Sequence, residues 1–313
     1  MSKVFVKDVE GKVLLPTHPA RARKLLRKGK AKVIQVVPFT IKLSRKVDNP
    51  VGDFILGVDD GAKKVGVAVV NNKTNEVVFK GQIELRQDVK RLMKQRREYR
   101  RSRRSRNLRY RKSRWSNRIS EKLVPSIKCR KDSTIRFIKD MNKRINITNV
   151  IVEEVKFNHF KYKWGKYFSL VEIGKSYLKE QILNLGLIYN NTFGYITKEN
   201  RLKLGLSKRH SNDAIVIACK EIKPSINSLE WVIKPRRTKV WNNNPTKTCT
   251  EKNDFKHYDL VKAKHRTRGA VVGSIRSLKA KQIALRTKFN DNFLVSYNKT
   301  ILLQKFNGLI YYW

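Results

Sequence analysis

The first fifty residues alternate apolar and polar positions in a way that predicts a small α+β module. Val4–Val9 and Lys12–Leu15 flank a Gly-containing turn, which indicates a β-hairpin. Thr17 stands where it can cap a helix that ends at Gly29. The run Lys32–Leu43 alternates in its second half and predicts one half-buried strand.

From Phe54 the pattern changes to apolar strands that carry acids. The segment FILGVDDGAKKVGVAVV predicts a strand holding Asp59 and Asp60, a turn and a second strand, and Glu76–Leu85 supplies a third. A carboxylate in a buried strand is costly unless a cation or hydrogen-bond donors pair with it. An acid that points inward from a hairpin predicts an α/β chain of the ribonuclease-H-like fold, in which a central strand presents a metal-binding aspartate.

The middle of the chain predicts alternating helices and strands. Pro125–Ile145 is expected as a helix and Asn149–Val155 as a short strand that again holds acids. An amphipathic helix at Gly174–Leu185 and a weaker strand at Thr192–Thr197 follow. LSKRHSNDAIVIACK then leads into an apolar helix that is expected to begin near Ser211.

The last third, from about Pro224, is basic and rich in short predicted strands. These strands would suit a small barrel, and they are Val271–Ile275, Gln282–Arg286, Phe293–Tyr297, Thr300–Phe306 and Leu309–Tyr312.

One segment follows no apolar pattern. Arg86–Arg118 has thirteen arginines and three lysines against two acids and contains no Pro or Gly, which predicts one continuous helix. Basic residues fall on every face, so their repulsion opposes an isolated helix and a polyanion is expected beside it. The segment lacks the apolar heptads of a coiled coil, and a solvated helical face is the other reading. Because guanidinium groups suit phosphate contacts and stacking on bases, a nucleic-acid-binding helix is favoured.

The composition supports the same class of partner. The chain has 72 basic and 25 acidic residues, a net charge of +47, which favours nucleic acid and salt-dependent association. No long apolar run or secretory leader is present, so neither a membrane span nor a membrane partner is expected. Cys129, Cys219 and Cys249 form no CxxC pair, which favours a reducing compartment. We expect a cytoplasmic, nucleoid-associated protein of a prokaryote.

Three acids on separate elements form a candidate catalytic centre. Asp59 and Glu153 lie in predicted strands, and Asp213 lies in the first turn of a predicted helix with His210 one turn before it. Carboxylates of this kind can hold two Mg²⁺ ions, which activate water and stabilise the leaving oxygen of a phosphodiester. The histidine can take a proton from the water or orient it.

Each of these residues also has a simpler explanation. A single acid is more often a surface charge, and His210 in KRHSND can be an exposed phosphate contact. Asp60 and Glu154 are adjacent competitors, and strand alternation alone does not decide between the pairs. At this point the register of both strands stays open.

Four segments together resemble the split RuvC nuclease of IscB-type transposon proteins. They are GVDDGAKKVGVAVV, the arginine-rich segment ending RYRKSRWSNR, VEEVKFN and KRHSNDA, in the family's order. The start of the chain resembles that family's N-terminal PLMP module, with VLLP where PLMP is usual. The resemblance covers roughly residues 3 to 220.

The resemblance implies roles for particular residues. Asp59 matches the first RuvC aspartate, in a GIDPG-like turn where this chain has Asp60 instead of proline. Glu153 matches the second acid, and His210 and Asp213 match the HxxDA of the third motif. The implied metal ligands are Asp59, Glu153 and Asp213, and the implied cofactor is a pair of Mg²⁺ ions, for which Mn²⁺ can substitute.

The basic segment matches the bridge helix, which in such proteins contacts guide RNA. The RNA-binding residues so implied are Arg96, Arg97, Arg100, Arg101, Arg103, Arg104, Arg106, Arg109, Arg111 and Arg114. By position and likeness, the C-terminal region is expected to contact the DNA motif that flanks the target, and also RNA. Its candidate DNA-binding residues are Arg236, Arg237, Lys264, Arg266 and Arg268.

The domain boundaries follow from these matches. We expect a PLMP-like module at 1–50, RuvC part I at 51–85, the bridge helix at 86–118, RuvC part II at 119–190, RuvC part III at 191–225 and a C-terminal basic β-rich domain at 226–313.

An HNH nuclease domain lies between the second and third RuvC motifs of IscB, but only 59 residues separate Glu153 from Asp213 here. The chain therefore resembles IsrB proteins, the relatives that lack HNH. The resemblance implies an RNA-guided nickase that uses a transposon-encoded (omega-type) guide RNA on double-stranded DNA and cuts the non-target strand. A monomeric protein within a large ribonucleoprotein is expected.

Two alternatives stay open. One is a catalytically idle, RNA-guided DNA-binding protein that acts as a repressor. The other is a structure-selective endonuclease, such as a junction resolvase, that needs no guide.

Overall fold

The computed structural model describes residues 3–48, 52–106, 123–155, 170–219, 222–226, 229–236 and 251–313. Those residues form a small N-terminal sheet, a large central sheet covered by helices, and a C-terminal sheet. None of the helices in these ranges is long and apolar enough to cross a membrane.

The N-terminal module is a four-stranded sheet with one helix. Its elements are β1 (Val4–Lys7), β2 (Val13–Thr17), α1 (Pro19–Arg27), β3 (Ala31–Gln35) and β4 (Thr40–Leu43), with the strand order β2-β1-β4-β3. The expected hairpin is present as β1 and β2, which pair antiparallel. Ala22 of α1 packs into a core with Val4, Val6 and Ile41.

Eight strands form the central sheet. They are β5 (Phe54–Asp59), β6 (Lys64–Asn71), β7 (Glu76–Glu84), β8 (Ile147–Glu154), β9 (Ile188–Phe193), β10 (Ser225–Ile226), β11 (Glu230–Pro235) and β19 (Leu309–Tyr312). Their order is β19-β11-β7-β6-β5-β8-β9, and β10 pairs beside β7. Within β7-β6-β5-β8-β9, β6 runs antiparallel to both neighbours, whereas β5, β8 and β9 run parallel. This order and these directions are those of the ribonuclease-H-like fold, so the α/β expectation is confirmed at that level.

Helices cover both faces of this sheet. They are α3 (Pro125–Asn142), α4 (Leu170–Leu183), α5 (Gly194–Lys203) and α6 (His210–Cys219), whereas α2 (Val89–Ser105), which follows β7, has no buried residue. On one face, Phe54, Leu56 and Val58 of β5 share a core with residues of α3 and α4. On the other face, Ala68 and Val70 of β6 pack against α6. Since α6 is apolar almost all round, it is a buried helix, and every residue in it after His210 is buried except Asp213.

Two glycines let α6 approach the sheet. A Cβ at Gly57 would lie 2.1 Å from the carbonyl oxygen of Ala214, and a Cβ at Gly66 would lie 1.8 Å from that of His210. Any side chain at these two strand positions would push α6 outward. Glycine therefore fixes the height of α6 above β5 and β6.

The C-terminal residues form a five-stranded antiparallel sheet of order β17-β16-β15-β14-β18. Its strands are β14 (Leu260–His265), β15 (Gly269–Leu278), β16 (Gln282–Thr287), β17 (Asn292–Ser296) and β18 (Thr300–Gln304). A short hairpin of β12 (Glu251–Lys252) and β13 (Phe255–Lys256) precedes it, and a 3-10 turn, Tyr297–Lys299, joins β17 to β18.

Strand β19, expected within a small C-terminal barrel, instead belongs to the central sheet. It pairs antiparallel with β11. Tyr311 is fully buried there, and its hydroxyl donates a hydrogen bond of 2.5 Å to Asp140 of α3. The aromatic ring of Tyr311 also meets Phe79 and Trp231 edge-on. The last strand thus closes the main core, and the barrel expectation is wrong for this strand.

Three boundaries near the N-terminal module and the basic helix differ from expectation. Lys32–Leu43 is two antiparallel strands, because Pro38, which has no N–H, lies in a turn between β3 and β4. The cap of α1 is His18 and not Thr17, and His18 Nδ1 accepts from the N–H of Ala20 at 3.2 Å. Helix α2 begins at Val89 and not Arg86, since Arg86 folds back to an ion pair with Asp88. The expected continuation of this helix over 107–118 lies outside the described residues.

Of the expected strand Thr192–Thr197, only Thr192 and Phe193 lie in a strand. Strand β9 ends at Phe193, and α5 begins at Gly194. Helix α5 runs without a break from Gly194 to Lys203, and its Thr197 and Asn200 are buried.

Gly66→Ala is expected to lower the free energy of unfolding by about 1–3 kcal/mol, because the added methyl group collides with the backbone of α6. Urea unfolding measures the change. Gly205→Asn is the matched control: Gly205 has a φ of +64° with nothing within 4 Å of an added Cβ, and asparagine tolerates that conformation. Equal stabilities for Gly66→Ala and the wild type would contradict the close approach of α6.

Candidate active site

The site begins where β5 ends. Asp59 is the last residue of β5 and pairs with Gly66 of β6. The backbone of His210 lies over Gly66, at the start of α6. Nδ1 of His210 therefore comes within 2.6 Å of Oδ2 of Asp59. Gly66 thus lets the start of α6, which carries His210, come close to the end of β5, which carries Asp59.

Glu153 lies at the same edge of the sheet. Strand β8 is parallel to β5, with Val152 paired to Val58, so the carboxyl ends of the two strands are neighbours. Glu153 is half-buried, and its Oε1 lies 2.5 Å from the position that a Cβ on Gly194 would take. Its own carbonyl oxygen accepts a hydrogen bond of 2.6 Å from Nζ of Lys175 on α4. The first residue of α5 thus packs directly on this carboxylate.

Asp213 approaches from above, in the first turn of α6. Nε of Arg201, on α5, forms an ion pair of 2.9 Å with its Oδ1. Within the described residues that buried oxygen accepts no well-aligned hydrogen bond. Arg201 therefore supplies charge, and the oxygen keeps acceptor capacity for another partner.

Burial and mutual repulsion dominate the electrostatics of the three acids. Burial, followed by the charge of Asp59, raises the pKa of Glu153 to about 7. Burial also raises the pKa of Asp59, although the hydrogen bond with His210 opposes the shift. The pKa of Asp213 is raised by burial and held down in part by Arg201. The three carboxyl groups are therefore easier to protonate in the folded chain than when free in water.

The donor set fits a divalent cation in chemistry. Carboxylate oxygens are the ligands that Mg²⁺ prefers, and an orphan oxygen on Asp213 and raised carboxyl pKa values are what a site built for a cation shows without one. Within the described residues, however, no three His, Cys, Asp or Glu side chains converge closely enough to hold one metal ion. The contact of Asp213 with Arg201 is one physical reason.

The competing acids have other partners. Asp60 forms an ion pair with Lys131 of α3, and its side chain is only 2% exposed. Glu154 accepts hydrogen bonds from the hydroxyl of Tyr189 at 2.7 Å and from the amide of Asn191 at 2.8 Å. Asp60 thus contacts α3 and Glu154 contacts β9, although the charge of Asp60 still helps to raise the pKa of Asp59 and of Glu153. Asp59 and Glu153 are thus neighbours in the candidate site, whereas Asp60 is paired with Lys131.

Sequence reasoning missed Arg201 and Lys175. Neither lies in a motif, and each reaches the site from a helix whose position only the fold defines. The two glycines under α6 carried a signal, because a Gly inside a strand often marks close backbone approach.

The candidate nucleic-acid residues lie elsewhere. Helix α2 has no buried residue, and its arginines from Arg96 to Arg104 are exposed, as is Arg106 directly after it. Arg109, Arg111, Arg114 and Arg237 lie outside the described residues. Lys264, Arg266 and Arg268 lie at the β14–β15 turn of the C-terminal sheet, with the Arg268 guanidinium 5.0 Å from the ring centre of Phe293. Arg236 follows β11, and Arg136 donates to its carbonyl oxygen at 2.8 Å.

In the presence of a chelator, the free energy of unfolding is expected to fall as pH rises from about 4.5 to about 7. In that interval the folded chain holds the Glu153 proton more tightly than the unfolded chain does, so ionisation favours unfolding. Glu153→Gln should flatten this part of the profile, as measured by urea unfolding at several pH values. Glu199→Gln, at an exposed acid of α5, is the control. An unchanged slope in Glu153→Gln would show that burial does not destabilise this carboxylate.

Among solved structures, Thermus thermophilus RuvC in complex with a Holliday junction substrate matches with a TM-score of 0.31 and 15% identity, covering 53% of this chain and 89% of that chain. A second T. thermophilus RuvC structure gives 0.29 and 14%, with coverage of 53% and 90%. A simian T-cell lymphotropic virus intasome in complex with the PP2A regulatory subunit B56 gamma gives 0.19 and 6%, covering 82% and 83%. No match was found among curated proteins.

A protein-family model gives the stronger finding. The model of the RRXRR protein family matches residues 4–172, more than half of the chain. The chain has the pattern that this name describes at residues 100–104, where two arginine pairs flank Ser102 on helix α2. The chain belongs to the RRXRR protein family.

Proposed function

We propose that this chain is an RNA-guided DNA endonuclease that nicks one strand of a double-stranded target. The observation that carries the proposal is the contact of His210 with Asp59 at one edge of a ribonuclease-H-like sheet, where the charges of Asp59, Glu153 and Asp213 act on one another. Membership in the RRXRR family, which is IscB- and TnpB-like, supports a RuvC-type nuclease. The guide, the nicking and the identity as an IsrB protein rest on the sequence resemblance.

The residues have distinct roles in this proposal. Asp59, Glu153 and Asp213 hold divalent cations, for which Mg²⁺ is the natural candidate. Bound there, the ions would activate water and stabilise the charge that develops on the phosphodiester. His210 lies 2.6 Å from Asp59, which orients its ring so that Nε2 is available to accept a proton from water. Arg201 balances the charge of Asp213 and holds that side chain in place.

The exposed arginines of α2 are the proposed RNA contact. The helix leaves the central sheet directly after β7, so it joins the candidate catalytic core to any bound RNA. None of its residues is buried by the described part of the chain, so packing there does not stabilise the helix, whereas a polyanion would. A guide RNA would also supply the sequence recognition that a chain of 313 residues cannot easily supply with side chains.

The C-terminal sheet is the proposed contact for flanking DNA. Lys264, Arg266 and Arg268 are grouped at one turn of that sheet, which suits phosphate or base-edge contacts. The short distance in sequence between Glu153 and Asp213 leaves no room for an HNH domain, which supports nicking rather than cutting of both strands.

Asp59→Ala, Glu153→Ala and Asp213→Ala are each expected to abolish Mg²⁺-dependent nicking and to retain DNA binding, because each removes a metal ligand. The assay uses protein co-expressed with the noncoding DNA that flanks its gene, and supercoiled target with a randomised flank, with each strand labelled. Glu154→Ala is the matched control, since Glu154 faces Tyr189 and Asn191 instead of the site. RNA-guided binding without a cut in the wild type would favour the repressor, and cutting of branched DNA without a guide would favour a resolvase.

Replacing Arg100, Arg101, Arg103 and Arg104 with glutamine is expected to abolish RNA retention, because four phosphate contacts are lost together. The thermal midpoint of the core should stay the same, since none of the four is buried. RNA that copurifies with the protein is the readout. Four exposed lysines of the C-terminal region provide a control with equal charge loss: Lys279, Lys281, Lys299 and Lys305, each replaced with glutamine. Equal RNA loss in both variants would refute a specific role for α2.

A further inference from the structure

Helix α5 forms one wall of the candidate active site. Its first residue, Gly194, packs on the carboxylate of Glu153, and Arg201, two turns later, pairs with Asp213. Thr197 and Asn200 are buried on the same side. A polynucleotide strand bound over Glu153 and Asp213 would therefore lie next to this helix.

The outer surface of α5 has an aromatic group where this strand would pass. Tyr195 is 70% exposed, although it immediately follows the glycine that touches Glu153. Its ring lies parallel to that of Phe193, with 5° between the planes and 6.0 Å between the centres. Phe193 supports the Tyr195 ring from one side, and the exposure of Tyr195 leaves ring surface open to a ligand.

Basic residues accompany the aromatic pair. Lys198 lies one turn after Tyr195 on the same helix face and is exposed. Between Gly194 and Arg209 the chain has five basic residues and one acid, Glu199. An exposed aromatic ring beside cations is the usual arrangement for binding single-stranded nucleic acid, because every base has a face that can stack.

We infer that Phe193, Tyr195 and Lys198 form a nucleotide subsite at the edge of the catalytic centre. An unpaired base stacks on Tyr195, and the phosphate beside it pairs with Lys198. The subsite fixes the strand so that a neighbouring phosphodiester lies over the carboxylates. This inference rests on the proposed function for its link to cleavage, but base stacking can be measured without cleavage.

Charge explains why a nucleotide, and not a protein surface, is the occupant. The segment is strongly basic, and the chain as a whole carries +47. Leu202 is the other large apolar residue on this face and is 62% exposed, so the exposed patch is a narrow stripe of one helix. A stripe of this width suits a flat base better than it suits a protein interface, which needs a broad apolar centre.

The test measures stacking directly. The full-length protein, with its retained RNA and an Asp59→Asn substitution that prevents cutting, is titrated with single-stranded DNA oligonucleotides that carry 2-aminopurine at one position. Stacking on tyrosine quenches this fluorophore, so quenching at one position of the strand is expected. Tyr195→Leu should remove the quenching and weaken binding about tenfold, or about 1.4 kcal/mol. Tyr195→Phe keeps the ring and should bind within about twofold of the parent.

A matched control separates this subsite from general aromatic contact. Phe289 is 80% exposed at the β16–β17 turn of the C-terminal sheet, and Phe289→Leu should leave the quenching unchanged. Thermal unfolding of each variant checks the fold. Quenching and affinity that stay the same in Tyr195→Leu would overturn the inference, as would equal losses in Tyr195→Leu and Phe289→Leu.

The link to cleavage has its own readout. In protein with Asp59 restored, Tyr195→Leu should spread the cut over several neighbouring phosphodiesters, whereas Tyr195→Phe should keep the wild-type position. If wild-type protein stacks the base but never cuts, the nuclease proposal fails and the subsite stands. If the protein cuts at one position regardless of residue 195, the nuclease stands and the positioning role fails.

Discussion

Backbone contact between α6 and the central sheet is the constraint on which the candidate site depends. Gly57 and Gly66 have no side chains at the two points where the carbonyl oxygens of Ala214 and His210 come closest. The close approach places the N-terminus of α6 over the end of β5, so that His210 lies 2.6 Å from Asp59. Side chains at either glycine would separate two groups that lie 151 positions apart in the chain.

The same packing places like charges in a half-buried edge. Three carboxylates share this edge, and their burial raises each pKa above its usual value. Folding therefore works against local electrostatics here, and the large apolar core of the sheet compensates for the cost. Arg201 on α5 and Lys175 on α4 offset part of the repulsion between these carboxylates.

Much of the fold could be predicted from sequence because the central strands are long apolar runs. Which acid faces the candidate site could not be predicted, because Asp59 and Asp60 both follow the same apolar run. Their partners differ only in the folded chain, where α6 packs beside Asp59 and Lys131 pairs with Asp60. The start of the basic helix was predicted three residues before its observed start, because helix propensity does not take the ion pair between Arg86 and Asp88 into account. Arg201 could not have been identified, since its partner lies on another helix and no spacing connects them.

Strand β19 has a consequence for the order in which the chain becomes structured. Its partner β11 and the neighbouring β7 are made much earlier, and Tyr311 fills the centre of the aromatic group formed with Phe79 and Trp231. During synthesis, then, the central sheet keeps one edge unpaired and part of its core open to water until the residues around 310 have left the ribosome. The basic helix emerges more than 200 residues before that point. In the proposed function, a polyanion would therefore engage α2 while the central sheet is still incomplete, and assembly with nucleic acid would be concurrent with completion of the core.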